Sequence, residues 1–284
     1  ASTLLKSRYG LDMLKLIYLP HGAGDRSIGF RGVTRMFDFV LLSGKKVRDR
    51  MLRSGLVTPD NCAIVGYPKF DTVDLDHVPR MFDNDRPTVL YNPHFDPLLS
   101  SWGTMGEQVL NYFAHQDRFN LIFAPHVMLF QRRLHASLEH RRMRFRRKIP
   151  QRFYNLPHIR IDTGSPLSTD MSYTRAADIY LGDVSSQVYE WIYRPRPCIF
   201  LNSHQAVWRG NPNYAHWLLG DVIDRVAELP TALERAMTEP ARFAALQERA
   251  GRETFGVDDS TPSSRRAADA ILRFMRSPAQ QALS

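Results

Sequence analysis

Short apolar runs alternate with helical patterns along most of this chain, and this alternation limits the fold more than any other feature. Runs of this length, bounded by turn residues, are typical of buried strands, and the helices between them are the connections that parallel strands need. The sequence therefore predicts an α/β protein with parallel sheets. The predicted strands are Leu14–Leu19, Phe39–Leu42, Cys62–Val65, Thr88–Tyr91, Leu121–Ala124, Ile159–Ile161, Ile179–Leu181 and Cys198–Leu201. The predicted helices are Lys45–Ser54, Gly103–His115, Val127–Lys148, Ala232–Met237, Pro240–Phe255 and Ser263–Arg276.

The length of 284 residues predicts one large domain or two modest ones. The polar stretch Asp74–Arg86 is the predicted linker, because it is rich in residues that favour turns. We therefore expect an N-terminal lobe over residues 1–80 and a C-terminal lobe over residues 86–284. The chain starts at Ala1 without a methionine and the first lobe is short, so we expect either missing upstream residues or a reduced lobe.

Two features of the sequence argue against an extracellular or membrane-spanning protein. No stretch approaches the roughly 18 consecutive apolar residues of a transmembrane helix, and the first residues lack the layout of a signal peptide. Cys62 and Cys198 have no metal-ligand spacing, so they are expected to be reduced thiols rather than a disulfide or a zinc site. We expect a cytoplasmic protein.

The net charge of +9 implies an anionic partner without naming it. Much of the charge lies between Arg132 and Lys148, on what the pattern predicts to be one helix. This segment is either a solvated helical face or a surface that docks on anionic lipid, because Met143 and Phe145 lie among its cations. Binding to nucleic acid ranks below both interpretations, since no recognition motif accompanies the charge.

Several predicted strands end in a side chain that is capable of chemistry. His21, His94 and His126 each follow a strand and a proline, and Asp183 follows the strand that ends in Leu181-Gly182. Proline keeps the preceding residue extended, which holds the chain straight until the turn where the histidine emerges. Ligands of parallel α/β sheets bind outside these strand ends. A single such histidine is more often structural, but four polar strand ends together predict a site.

The segment from Asp183 to Ser186 runs from a strand directly into a helical pattern. The hydroxyl groups of Ser185 and Ser186 and the first N–H groups of a helix are suited to binding a phosphate. The alternative is that Asp183 or Ser185 only caps the helix. The loop that starts at His21-Gly22 contains glycines that permit a close backbone approach, but it lacks the lysine and spacing of a Walker loop.

Aromatic residues are concentrated in the loop after the last predicted strand. They either stack on a base or a sugar or form a small local core, and the local core is the commoner role of such residues. They are Trp208, Tyr214, His216 and Trp217, and His204 shares the same ambiguity.

The motifs occur in an order that resembles the CDP-glycerol glycerophosphotransferase family, the polymerases and primases of teichoic-acid-like polymers. The resemblance spans nearly the whole chain and rests on His21-Gly22, Gly66-Tyr67-Pro68-Lys69-Phe70-Asp71, Val89-Leu90-Tyr91-Asn92-Pro93, Phe123-Ala124-Pro125-His126 and the segment Asp178 to Ser186. It implies a GT-B fold of two Rossmann-like lobes. One departure is that the first loop continues with Ala23-Gly24-Asp25-Arg26, where the family usually has Pro-Leu-Lys.

The resemblance also implies an activity. A glycerophosphate, or a related phospho-polyol or sugar group, would pass from a CDP-activated donor to a hydroxyl of a cell-surface polymer or lipid-linked acceptor. Neither a further cofactor nor a metal ion is expected. His21 is the candidate base, with Asp25 as its alternative, because the attacking hydroxyl must lose a proton.

The remaining candidate residues would act on the donor. His126, Ser185 and Ser186 would stabilise the charge on the leaving nucleotide. Asp183 would orient a histidine or accept a hydrogen bond from a donor hydroxyl. Glu190 would reach a ribose hydroxyl, although an ion pair with Arg194 is equally compatible with the spacing.

Two other classes of protein remain open. One is a UDP-sugar-dependent GT-B glycosyltransferase or a 2-epimerase-like enzyme. The other is a non-catalytic module that binds anionic membranes or polyanions through the basic segment from Arg132 to Lys148, at the inner face of the cell membrane.

Overall fold

In a computed structural model the chain forms two compact units. The structure describes residues 6, 8–11, 13–137, 141–256 and 260–276. The first unit contains the described residues of Ala1–Ala23, Ser27–Asp74 and Arg249–Ser284, and the second contains Gly24–Arg26 and Leu75–Glu248. The division after Asp74 falls at the start of the predicted linker. The units differ from the predicted lobes, because Gly24–Arg26 belong to the second unit and the chain returns to the first unit after Glu248.

The strands and helices follow the predicted alternation. The strands are β1 (Ile17–Tyr18), β2 (Phe39–Leu42), β3 (Cys62–Ile64), β4 (Thr88–Asn92), β5 (Asn120–Phe123), β6 (Leu134–Ser137), β7 (Arg142–Phe145), β8 (Ile159–Ile161), β9 (Ile179–Gly182), β10 (Cys198–Leu201) and β11 (Asp221–Ile223). The α-helices are α1 (Lys45–Arg53), α2 (Gly106–Ala114), α3 (Met128–Gln131), α4 (Ser172–Ala176), α5 (Gln187–Trp191), α6 (Leu229–Thr238), α7 (Ala244–Phe255) and α8 (Ser263–Arg276). Short 3-10 helices lie at Ser27–Gly29, Gly32–Met36, Pro59–Asn61, Pro68–Thr72, Ser101–Gly103, Gln151–Phe153, Pro166–Ser168, Pro212–Leu219 and Val226–Glu228.

The first unit is built on a parallel sheet with the strand order β1-β2-β3. Its central strand β2 is buried along its whole length. Helix α8 covers one face of this sheet, where the rings of Phe39 and Phe274 stack with their centroids 4.6 Å apart. Asp71 fixes the start of α8, because its carboxylate accepts hydrogen bonds from the backbone N–H groups of Ser263 and Ser264. The C-terminal helix is therefore a structural part of the first unit.

The second unit contains a six-stranded sheet in the order β11-β10-β9-β4-β5-β8, and every pair in it is parallel. Strands β4, β5, β9 and β10 are buried throughout. This explains their nearly continuous apolar sequence, since both faces of a parallel sheet are covered. The parallel α/β fold predicted from the sequence is confirmed.

The predicted helix Val127–Lys148 is wrong. Its described part holds one turn of helix, α3, followed by an antiparallel hairpin of β6 and β7, and residues 138–140 lie outside the described part. Residues of β7 alternate between cationic and apolar side chains, Arg142-Met143-Arg144-Phe145, which is the two-residue period of a strand. The register pairs Leu134 with Phe145 and therefore sets apolar residues of both strands on one face.

Strand β11 was not predicted. It has three residues, Asp221–Ile223, and only Ile223 is fully buried. A strand this short gives too few alternating positions to stand out in the sequence.

Candidate functional site

The carboxyl ends of the central strands in the second unit bring three predicted polar residues to one edge of the sheet. Strand β4 is followed by Pro93-His94, β5 by Ala124-Pro125-His126, and β9 by Asp183. The register places the end of β4 between the ends of its neighbours, because Asn92 pairs with Gly182 and Tyr91 with Phe123. Parallel pairing therefore gathers His94, His126 and Asp183 as the sequence predicted.

The two Pro-His turns have the same local geometry. His94 accepts a hydrogen bond at Nδ1 from the backbone N–H of Asp96, at 3.0 Å. His126 accepts at Nδ1 from the backbone N–H of Met128, at 3.3 Å. A neutral imidazole that accepts at Nδ1 carries its proton on Nε2. Each turn therefore holds its histidine as an Nε2–H donor.

The two rings lie together around Phe95. The ring centroids of His94 and His126 are 5.8 Å apart. The ring centroid of Phe95 lies 4.4 Å from that of His94 and 4.7 Å from that of His126. The backbone joins the turns directly, since the N–H of His126 donates to the carbonyl oxygen of Pro93 at 3.0 Å. This arrangement sets two imidazole donors at a fixed spacing.

Burial, together with the nearby basic side chains of His126, Arg26 and His216, lowers the pKa of His94 to about 3. His94 is therefore neutral at physiological pH. Its basic nitrogen is also occupied by the hydrogen bond from Asp96. The ring is suited to donate a hydrogen bond to an anionic group and is unsuited to remove a proton.

Asp183 is a buried anchor for the histidine turns. Its carboxylate accepts hydrogen bonds from the backbone N–H groups of His94, Ser101 and Val184, at 2.9, 2.7 and 2.6 Å, and from the hydroxyl of Ser101 at 2.8 Å. Because the Ser101 proton points to Asp183, Tyr91 donates its own hydroxyl proton to Ser101. Burial raises the pKa of Asp183 although these donors stabilise its charged form.

Ser185 and Ser186 lie just before α5, as predicted. Ser185 is buried, and its hydroxyl accepts a hydrogen bond from the backbone N–H of Gln187 at 3.3 Å, whereas Ser186 is exposed. Helix α5 has only five residues, so its dipole is small, and any attraction for an anion must come mainly from the hydroxyl and N–H groups. Gly24 packs closely against this segment, since an added Cβ would lie 2.8 Å from the Cβ of Ser186.

Asp25 and His216 form a second buried pair. One carboxylate oxygen of Asp25 accepts from the hydroxyl of Tyr189 at 2.6 Å and from the backbone N–H of His216 at 2.9 Å, and it lies 3.1 Å from Nδ1 of the same histidine. The Nε2 atom of His216 faces the carbonyl oxygen of Asp183 at 3.2 Å. Asp25, the alternative base, is thus held in a structural network.

The aromatic loop forms a local core. Trp217 is fully buried, and its Nε1–H donates to the carbonyl oxygen of Asp183 at 2.7 Å. Its ring contacts those of Tyr214, Trp208 and His204. The sequence did not indicate that His216 contacts Asp25 and Asp183, because the aromatic neighbours of His216 favoured a packing role.

The remaining predicted residues lie in different places. His21 is exposed in the first unit, where its carbonyl oxygen accepts a hydrogen bond from the hydroxyl of Tyr67 at 3.1 Å. Gly22 is half-buried beside it in the chain. Glu190 is buried on α5 in the second unit. Their predicted roles stay predictions.

Among the described residues, no group of three or more His, Cys, Asp or Glu side chains could hold a metal ion. None of the described helices is both long and apolar enough to cross a membrane.

Known structures share this fold. No protein-family model matches the chain, and no curated protein matches it. The wall teichoic acid polymerase TagF, in a variant soaked with CDPG, is 16% identical over 87% of this chain and 59% of its own, with a TM-score of 0.59. MnaA of S. aureus with UDP is 14% identical over 96% of this chain and 72% of its own, with a TM-score of 0.62. A putative UDP-N-acetylglucosamine 2-epimerase from Listeria monocytogenes is 13% identical over 97% and 72%, with a TM-score of 0.57.

These similarities show a fold of the GT-B type, as the sequence resemblance implied. This chain spans 59% of the length of the TagF chain that it matches. At such low identity the likeness identifies the architecture alone.

Proposed function

We propose that this chain is a GT-B-type transferase that moves a glycerophosphate, or a related phospho-polyol or sugar group, from a CDP-activated donor to a hydroxyl acceptor. The acceptor would be a cell-surface polymer or a lipid-linked precursor. The observation that carries the proposal is the pair of histidines, His94 and His126, held 5.8 Å apart as Nε2–H donors at the edge of the sheet where ligands bind. The ordered sequence motifs and the fold shared with TagF support it.

The histidine pair would bind the phosphates of the donor. When a glycerophosphate is transferred, the acceptor oxygen forms a bond to the phosphorus next to the glycerol, the bridging P–O bond breaks, and CMP leaves with the added negative charge. Hydrogen-bond donors aimed at that charge lower the barrier. His94 and His126 would supply two such donors, and the hydroxyls of Ser185 and Ser186 would supply others.

The proton of the attacking hydroxyl needs a base other than His94. His94 is neutral with its basic nitrogen occupied, and Asp25 has three hydrogen-bonding contacts on one oxygen. His21 therefore remains the proposed base, and Asp25 would serve as the base only if its network rearranged. Gly22 would allow the backbone of the same loop to approach the ligand.

Asp183 and Glu190 would have supporting roles. We infer that Asp183 positions the turn at His94 by accepting a hydrogen bond from the backbone N–H of His94. Both carboxylate oxygens of Asp183 are engaged within the protein. Glu190 would accept a hydrogen bond from a ribose hydroxyl. The donor is the only small molecule that this proposal requires, with neither a cofactor nor a metal ion.

A nucleotide panel combined with two variants of one histidine tests the proposal. The side-chain amide of asparagine lies near the position that Nδ1 of a histidine would take, and the side-chain amide of glutamine lies near the position of Nε2. If His126 acts as an Nε2–H donor, H126Q retains most of the thermal stabilisation by CDP and H126N loses it. If His126 only closes its turn through Nδ1, H126N is the variant that retains it. A ligand that binds the folded protein raises its melting temperature, so CDP, CMP, UDP, GDP and ADP are compared at equal concentration.

A UDP-sugar-dependent enzyme is the second candidate. The specific observation in its favour is the similarity to MnaA, which covers 96% of this chain and was solved with UDP. A melting shift confined to UDP would favour this candidate over the CDP-dependent one. No shift with any nucleotide would contradict both.

A non-catalytic module at an anionic membrane surface is the third. Met143 and Phe145 are 61% and 79% exposed on one face of the hairpin, and Arg142 and Arg144 lie between and beside them in the strand. Exposed apolar side chains next to cations are suited to the headgroup region of a membrane. This candidate predicts co-sedimentation with anionic vesicles and none with neutral vesicles, together with an absence of nucleotide binding.

A further inference from the structure

A cavity lies in the second unit between the β6–β7 hairpin and the loops after β4. Its volume is 260 Å³, below the range of about 300–1,000 Å³ that is typical of sites for drug-sized ligands. We call it the hairpin cavity. Its size suits one compact group rather than a whole nucleotide-activated donor.

The wall formed by the hairpin is cationic. Arg144, Arg146 and Arg147 line it, and none of the described residues that line the cavity is acidic. Arg146 is half-buried, with its guanidinium 4.3 Å from the ring centre of Phe130. Burial lowers the pKa of Arg146, and the neighbouring charge of Arg133 lowers it further. Cations gathered in this way are stabilised by a bound anion.

The opposite wall is aromatic, with Phe95 and Trp102 in it. Trp102 is buried, and its Nε1–H donates to the carbonyl oxygen of Arg147 at 3.1 Å. This hydrogen bond fixes the end of the arginine-rich segment against the aromatic wall. The guanidinium of Arg146 is also held, since its Nε donates to the carbonyl oxygen of Arg132 and its Nη1 to that of Arg147. The cavity is therefore largely formed before any ligand binds.

The hairpin cavity shares a wall with the histidine pair. Phe95 lines the cavity, and its ring also contacts His94 and His126 at 4.4 and 4.7 Å between centroids. A group bound in the cavity would lie beside the site proposed for the donor phosphates. This is the position that the second substrate of a transfer reaction must occupy.

We propose that the hairpin cavity binds a phosphate ester of the acceptor, with the phosphate on Arg144 and its arginine neighbours and the polyol part against Phe95 and Trp102. This inference rests on the proposed transferase function and adds a site for the second substrate. Arginine suits the role because its planar fork of N–H groups matches the oxygens of a phosphate.

The test compares two arginines of one strand. Arg144 lines the cavity, whereas Arg142, two residues earlier on the same face of β7, does not. The probe is sn-glycerol 3-phosphate, titrated into the full chain with saturating CDP and followed by the indole N–H signal of Trp102 in ¹⁵N-tryptophan-labelled protein. A W102F variant assigns the signal. R144Q should bind glycerol phosphate about tenfold more weakly than the wild type, because the phosphate loses a charged hydrogen-bond donor. R142Q should bind it within about twofold of the wild type, because Arg142 does not line the cavity.

Several results would overturn the proposal. Equal weakening in R142Q and R144Q would mean that the probe senses only the net charge of the hairpin. The absence of a shift of the Trp102 signal at millimolar glycerol phosphate would exclude the site, even if CDP binds normally. Inorganic phosphate binding as tightly as the ester would indicate a free-phosphate site without a polyol contact.

The same experiment separates this proposal from the proposed function. R144Q should keep the melting shift produced by CDP, because the donor would bind to other residues. If CDP fails to bind while the Trp102 signal responds to glycerol phosphate in an Arg144-dependent way, the cavity site stands and the CDP-dependent transferase does not. Hexyl phosphate is the third ligand tested. If it binds more tightly than glycerol phosphate, the polyol assignment is overturned in favour of a lipid-linked phosphate.

Discussion

Replacing Asp183 with asparagine should destabilise the second unit although the two side chains have nearly the same shape. Asp183 is 1% exposed, and its two oxygens accept from three backbone N–H groups and one hydroxyl. An asparagine keeps one oxygen and turns an NH₂ group towards the other donors. In either orientation at least one buried backbone N–H loses its acceptor.

The size of the effect follows from these contacts. Each buried N–H that loses its partner costs about 1–3 kcal/mol. Removing a buried charge offsets part of this, since burial raises the pKa of Asp183 and thus makes its charged form more costly than it is in water. We expect a net loss of about 2 kcal/mol in the free energy of unfolding, or a melting temperature lower by about 4–8 °C.

Tryptophan fluorescence in urea is the suitable assay, because every tryptophan of the chain belongs to the second unit. They are Trp102, Trp191, Trp208 and Trp217. Asp178 provides a matched control, because it lies directly before β9, the strand that Asp183 directly follows. Asp178 is exposed and accepts a hydrogen bond from the backbone N–H of Thr88. D178N should therefore change stability by less than about 0.5 kcal/mol. A D183N protein within that margin of the wild type, or equal losses in the two variants, would refute the reasoning.

Two further predictions concern packing and pH. G24A should weaken stabilisation by nucleotides and lower stability by about 1–3 kcal/mol, because its Cβ would lie 2.8 Å from that of Ser186; nucleotide melting shifts like those of the wild type would contradict this. Burial alone would raise the pKa of Asp162, but hydrogen bonds from Ser165, Gly164 and Tyr173 outweigh it and lower the pKa to about 2. The stabilisation from this carboxylate is therefore present above pH 4 and is lost as the pH falls from about 4 to 2, so the urea midpoints of wild type and D162N should converge over that range. A constant difference between those midpoints would show that Asp162 is not the titrating group.

The fold could be predicted where local pattern and tertiary packing agree. Strands β2 and β10 and helix α8 have the predicted bounds, since each is a continuous apolar run or a strongly amphipathic segment. The segment from Arg132 to Lys148 misled the prediction because arginine and leucine favour helices. The two-residue alternation of Arg142-Met143-Arg144-Phe145 was the signal that pointed to a strand.

The site could be predicted only in part, for a physical reason. The strand ends that carry His94, His126 and Asp183 follow from the order of short runs, because parallel pairing gathers such ends at one edge. Nothing local in the sequence indicates that Asp25 and His216, 191 residues apart, share a hydrogen bond. Whether a carboxylate faces a ligand or anchors a turn depends on such distant donors.

The return of the chain to the first unit has a consequence for synthesis on the ribosome. Strand β3 ends at Ile64, and α8, which covers the sheet of that unit, begins only at Ser263. At about 5–20 residues per second, the intervening chain takes about 10–40 s to be made. During that interval the face of the sheet that carries Phe39 and Leu41 has no helix to cover it, whereas residues 75–248 are already available to fold. A chaperone that covers this face of the β1–β3 sheet would therefore be useful until α8 has been made.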